Sequence, residues 1–176
     1  MKHFLFYIVL IFCGLNTQAQ INELGVFVGG TNYIGDIGPT DYIAPNEPSI
    51  GILYKWNRSP RHAYRFSYTQ GKLSAKDIDS DVPSRYIRGN SFENSVKEFS
   101  AGLEFSFMDF DLHDGDPKFS PYVYSGLSYF IYDEIYILDN NSEEDYQSST
   151  FAIPMVLGLK ARLFQNFIIG AEVGFR

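Results

Sequence analysis

A chain of 176 residues with one cysteine, three histidines and a formal charge of −7 excludes several functions from the start. A single thiol leaves no internal disulfide framework, scattered histidines make poor zinc ligands, and an acidic balance does not favour nucleic-acid binding. The length suits one domain, and 17% aromatic residues is high for a soluble protein but expected where a lipid-facing band is girdled by Tyr, Phe and Trp.

In chain order, the first element is a secretory signal peptide over residues 1–19. Lys2 and His3 form a basic start, and residues 4–13 (FLFYIVLIFC) form an apolar run too short to span a bilayer as a helix. Thr17, Gln18 and Ala19 form a cleavage region, with the cut expected after Ala19. A lipoprotein reading would lipidate Cys13, but Phe12 stands where a small residue is wanted. Cleavage removes the only cysteine and one lysine, so the formal charge moves from −7 to −8. Residues 20–176 then form the mature domain.

That domain is dominated by period-two alternation, the signature of strands. Leu24, Val26 and Val28 share a face in the segment 21–30. In 49–58, Ile50, Ile52, Tyr54 and Trp56 oppose Gly51, Leu53, Lys55 and Asn57. In 62–69, Tyr64, Phe66 and Tyr68 alternate with Arg65, Ser67 and Thr69. In 97–107, Phe99, Ala101, Leu103, Phe105 and Phe107 oppose Glu98, Ser100, Gly102, Glu104 and Ser106. In 119–132, Val123, Leu127, Tyr129 and Ile131 share a face with Ser125. In 151–163 an apolar face from Phe151 to Leu163 opposes Gly158, Lys160 and Arg162. In 167–176, Phe167, Ile169, Ala171, Val173 and Phe175 oppose Gly170, Glu172, Gly174 and Arg176.

Seven consecutive strands with no helix between them predict antiparallel hairpins. Long connections (31–48, 73–95, 133–148) roughly alternate with shorter ones (59–61, 109–118, 164–166), as in outer-membrane barrels with long outer loops and short periplasmic turns. A seven-stranded β-sandwich is the competing architecture, because composition alone fits both. An odd count does not close a single-chain bacterial barrel. The expected fold is therefore all-β, an antiparallel transmembrane β-barrel of eight strands when complete, with seven visible and a C-terminal strand missing from a truncated domain.

The charges on the inner faces are Lys55, Arg65, Glu98, Glu104, Lys160, Arg162, Glu172 and Arg176. In a narrow barrel they are expected to neutralise one another, the alternative being a selective pore lining. The run Asp109, Asp111, Asp114, Asp116 lacks the spacing of a calcium loop and reads as a solvated turn. A second acidic cluster, Asp133, Glu134, Asp139, Glu143, Glu144 and Asp145, reads as a solvated outer loop that could also meet divalent cations. Gly35 and Gly38 read as turn and close-approach glycines. Catalysis would have to recruit His62 or His113 with an unmarked serine. No catalytic, cofactor-binding or metal-binding residues are assigned, and no cofactor and no enzymatic activity are expected.

The stretch Gly29-Gly30-Thr31-Asn32-Tyr33-Ile34-Gly35-Asp36 resembles the first-strand motif GG-x-x-Y-x-GD of PorG-like outer-membrane barrels of the Bacteroidota type IX secretion system. RFSYTQGK (65–72), FSAGLEFSF (99–107), FSPYVYSGLSYF (119–130), FAIPMVLGLKARL (151–163) and GAEVGFR (170–176) fit the same pattern in order. The resemblance implies a non-enzymatic barrel in the cell outer membrane. It would contact or anchor the periplasmic ring of the secretion machine, made of a lipoprotein and its partner, with outer-membrane lipid as its other neighbour and no nucleic acid. It also implies an acidic Asp-Tyr-rich stretch and a closing strand beyond Arg176. A small pore or ligand-binding barrel is the alternative, and a lipid-modifying barrel enzyme a third reading.

Overall fold

The computed structural model describes residues 22–112, 118–138, 141–164 and 167–176. The expected signal peptide lies outside them. Alternation along the sequence becomes alternation across a single curled sheet of β1 (Asn22–Thr31), β2 (Glu47–Asn57), β3 (His62–Lys76), β4 (Ser91–Ser106), β5 (Phe119–Leu138), β6 (Asn141–Ala152), β7 (Met155–Phe164) and β8 (Phe167–Phe175). Every pairing is antiparallel.

The β5 strand is long enough to pair twice. Its first half, Phe119 to Ser125, takes β7, and its second half, from Ser128 onward, takes β6. The β6 and β7 strands are one stave broken at Ile153-Pro154, where the ladder loses a donor because proline has no N–H. The expected single strand over 151–163 is therefore two, and eight strands fill seven positions around the barrel. The two terminal staves, β1 and β8, run in the same direction, because five staves with alternating sense separate them. They cannot pair with each other antiparallel, and a cavity of about 470 Å³ opens between them, lined by Leu24, Phe27, Lys55, Tyr122, Ile168 and Glu172 among others.

The distribution of side chains is inverted relative to a water-soluble sheet. Leu24, Val26 and Val28 are more than 80% exposed on the outside of β1, and Leu157 is 64% exposed on β7. Inside, Lys55, Arg65, Glu98, Glu104, Lys160 and Arg162 are all buried. A β-sandwich would bury the apolar faces between two sheets; here one sheet curls with its apolar face outward, so the sandwich is excluded. The outer band is edged by aromatics. Tyr68, Phe99, Tyr129 and Phe151 fall on one cross-strand row, with ring centroids 4.9 Å apart for Tyr68–Phe99 and 5.1 Å for Tyr129–Phe151. Trp56 and Tyr64 lie toward the opposite rim.

Two expectations about connections need correction. The connection after β3 is not free of helix: a 3-10 turn (Asp77–Asp79) and a short helix, α1 (Pro83–Arg88), fill it. Pro83 has no N–H to lose at the first turn, and Gly89 ends the helix at φ 68°, so PSRYIRG carries both a start and a stop signal. The region after residue 133 is not a loop, because β5 and β6 continue as a projecting hairpin with a bulge between Asp133 and Ile135. Strands β3 and β4 likewise run to Lys76 and from Ser91, so the 73–95 loop shrinks to 77–90.

Candidate functional site

The inner-face charges converge as expected, and the partners can now be named. Glu104 on β4 is fully buried between Lys55 Nζ (2.7 Å to Oε2) and Lys160 Nζ (2.8 Å to Oε1). The lysines come from β2 and β7, on opposite walls, so the three side chains bridge the lumen. Lys160 donates an aligned hydrogen bond; the Lys55 contact is Coulombic, since Glu104 Oε2 has no aligned donor. Arg65 on β3 grips Glu172 on β8 with two parallel bonds of 2.7 and 2.9 Å, and Tyr122 donates to the same carboxylate at 2.7 Å. Arg65 also lies 4.8 Å over the Tyr124 ring, and its Nε is a buried donor with no acceptor among the described residues. Glu98 takes Arg176 Nε at 2.8 Å and the Ser128 hydroxyl at 2.6 Å. Ser128 and the Tyr124 hydroxyl both meet Ser100 Oγ. Both signs of charge are thereby paired across the interior, the arrangement that makes burial of ions tolerable.

Both ends of the lumen carry further structure. At the short-turn end, Phe110 tucks beneath the barrel, 4% exposed, with Lys160 Nζ 4.6 Å and the Arg162 guanidinium 5.5 Å from its ring centroid. Its amide donates to Pro60 O at 2.8 Å, and Arg162 donates to Asp111 O at 2.5 Å. Phe110 thus makes a floor within the acidic turn, while Asp109 stays exposed and reaches Arg61 at 2.6 Å. Asp114, Asp116 and His113 lie outside the described residues, as do the side chains of Asp139, Glu143, Glu144 and Asp145.

At the other end a clasp ties the β1–β2 connection to the β3–β4 connection. Asp77 is fully buried and accepts from Gly38 N (2.9 Å), Asn90 N (3.1 Å) and Arg88 Nε (2.7 Å) and Nη2 (3.1 Å). The Arg88 guanidinium, followed by the two backbone donors, overcomes the burial and holds the Asp77 carboxyl at about 2. Arg88 spans on to Asp36 Oδ2 (3.0 Å) and Asp36 O (2.6 Å), and Arg85 donates to Gly38 O at 2.7 Å. Gly38 adopts φ 85°, and a Cβ there would stand 2.8 Å from that of Ala75, so both conformation and space require glycine. Tyr33 meets the buried Phe92 edge-on at 4.7 Å. The GG-x-x-Y-x-GD stretch thus supplies Tyr33 and Asp36 to this clasp.

Sequence reasoning missed Asp77, Arg88, Phe92 and Phe110. The helix signals in PSRYIRG could have flagged Arg85 and Arg88; nothing local marked Phe110. Among the described residues, the one Ser–His pair, Ser59 Oγ to His62 Nδ1 at 3.1 Å, is an exposed turn brace: Ser59 Oγ also accepts from the amides of Arg61 and His62. Among the described residues, no three His, Cys, Asp or Glu side chains are grouped to hold a metal ion.

Comparison with curated proteins and with solved structures gave no match. The family model of DUF6089, a domain of unknown function, matches residues 2–176, and the chain belongs to that family.

Proposed function

We propose that this chain is a non-enzymatic outer-membrane β-barrel that contacts or anchors the periplasmic ring of the type IX secretion machinery. The observation that carries the membrane part is the inverted sheet, with apolar side chains outward along every stave and ion pairs inward. Water would penalise such an outer surface, and hydrocarbon would not. In hydrocarbon the backbone groups along the free edges of β1 and β8 need partners, and a strand running opposite to both would supply them.

The secretion part rests on the resemblance of Gly29 to Asp36 and the later segments to PorG-like proteins, an argument by analogy. The interior supports it in one respect. Glu104 with its two lysines crosses the lumen and Phe110 underlies it, so the working surface belongs outside the lumen. The short-turn end, with Arg58, Arg61 and Asp109 exposed, is the surface expected to meet the ring lipoprotein and its partner. The cavity beside Lys55, Tyr122 and Glu172 is the one observation that favours a small pore or ligand-binding barrel instead.

The test combines localisation with partnership. The protein should fractionate with the outer membrane, resist carbonate extraction, and co-purify with ring components from solubilised membranes, while conducting poorly in planar bilayers. Recovery in the soluble periplasm defeats the barrel's membrane role. Large stable conductance favours the pore, and unchanged cargo secretion in a deletion strain removes the secretion role.

A further inference from the structure

The long-connection end displays apolar side chains that neither the fold nor a lipid phase accounts for. Ile78 is 62% exposed on the 3-10 turn, Tyr86 and Ile87 are 58% and 84% exposed on α1, and Tyr42 and Ile43 are more than two-thirds exposed on the neighbouring connection. They are not on loose loops. The clasp of Asp77, Arg88, Asp36, Arg85 and Gly38 fastens the two connections to each other and to the rim, so these side chains are held out on a fixed platform.

Height above the apolar band excludes lipid as their partner. On β3 the outward face is apolar through Tyr68 and then turns to Gln70, Lys72, Ser74 and Lys76; on β4 it is Ser91, Glu93, Ser95 and Lys97 before Phe99. Eight residues at about 3.3 Å each, tilted about 40°, lift the platform roughly 20 Å above the Tyr68–Phe99 row. An acyl-chain region that ends at that row does not reach Ile78 or Ile87.

The electrostatic surroundings specify the partner further. The described side chains of segments 32–46, 77–90 and 133–136 include seven carboxylates and two guanidiniums; the clasp takes both guanidiniums together with Asp36 and Asp77, which leaves Asp41, Asp79, Asp81, Asp133 and Glu134 as the surrounding negative charge. A second copy facing this platform would bring the same negative charge, and an anionic lipid surface would be repelled. We propose that the platform docks a partner protein through a segment whose apolar side chains are flanked by lysine or arginine, with Ile87 and Tyr86 as anchors and the surrounding carboxylates setting orientation and association rate. This rests on the barrel fold and not on the identity of any secretion machine.

The test uses the full chain in lipid nanodiscs and, as probe, a fluorescent amphipathic Leu/Lys peptide beside its Leu/Glu counterpart and anionic phosphatidylglycerol vesicles. The Leu/Lys peptide is expected to bind and the other two are not. Tyr86→Ser with Ile87→Ser should weaken that binding by about tenfold or more with every charge left in place. An environment-sensitive dye on Ile87→Cys should shift to the blue when the peptide binds, a reading that does not depend on the double variant folding. Peptide binding unchanged by the double variant, with no dye shift, overturns the proposal by reducing the platform to a charge effect. Equal binding of the vesicles overturns it in favour of a membrane surface, and binding of neither peptide removes it, whatever the outcome of the secretion tests.

Discussion

Replacing Glu104 with glutamine isolates the charge at the centre of the lumen while preserving shape. The carboxylate is fully buried, receives Lys55 and Lys160 at 2.7 and 2.8 Å, and stands 3.9 Å from Arg65. In Glu104→Gln the two lysines share one neutral amide oxygen in place of the carboxylate and keep their aromatic neighbours, with Tyr122 5.1 Å from Lys55 and Phe110 4.6 Å from Lys160, while Glu172 remains as a more distant counter-charge for Lys55. Breaking a buried pair from one side costs about 3–5 kcal/mol, because the remaining charge is left uncompensated. Cation–π attraction of about 0.5–2 kcal/mol is already present in the wild type and so does not offset the loss. The expected destabilisation is therefore about 3–5 kcal/mol, read by urea unfolding of the refolded barrel in phospholipid vesicles with tryptophan fluorescence from Trp56. Adding Lys160→Met to Glu104→Gln removes one stranded cation and should recover a substantial part. If Glu104→Gln unfolds within about 1 kcal/mol of wild type, the lumen is hydrated enough to screen its charges and the paired-interior argument is wrong.

Other consequences follow from the same geometry. Leu157→Arg or Leu103→Arg puts a cation on the outer band and should block assembly into bilayers, at a cost on the order of 2–4 kcal/mol near the midplane, seen as loss of the heat-modifiable band on gels; normal assembly would mean that this face does not meet lipid. Gly126→Ala places a methyl 2.2 Å from Ala101 O across the β4–β5 ladder, so about 1–3 kcal/mol should be lost in the same unfolding assay. The Asp77 carboxyl is depressed to about 2 in the folded clasp, so its stabilisation is fully present above about pH 4 and disappears as pH falls toward 2. Protease sensitivity of the 77–90 connection should accordingly stay flat from neutral pH down to about 4.5 and rise below that, whereas Asp77→Asn should be sensitive throughout; loosening already at pH 6 would contradict the clasp.

Much of this molecule was legible in its sequence, because the pleat is a local property. Alternation alone placed Lys55, Arg65, Glu104, Lys160 and Glu172 on the inside and Leu103 and Leu157 on the outside, since side chains of neighbouring residues must point to opposite faces. The narrow gap between two alternating runs put a short connection at 59–61 for the same local reason. Pairing partners were not legible. That Glu104 meets β2 and β7, and that Arg65 reaches β8, depends on the curvature and stagger of the whole sheet, which no window of sequence contains. Pro154 splits a stave only because β5 is long enough to hold both fragments. Phe110 becomes a floor only because Pro60 and Arg162 come from other turns to hold it. The clasp needs Asp36, Gly38, Asp77 and Arg88, which are brought together by the pairing of β1, β2 and β3 and by α1. Local periodicity determined which way each residue faces; the curl of the whole sheet decided which residues meet.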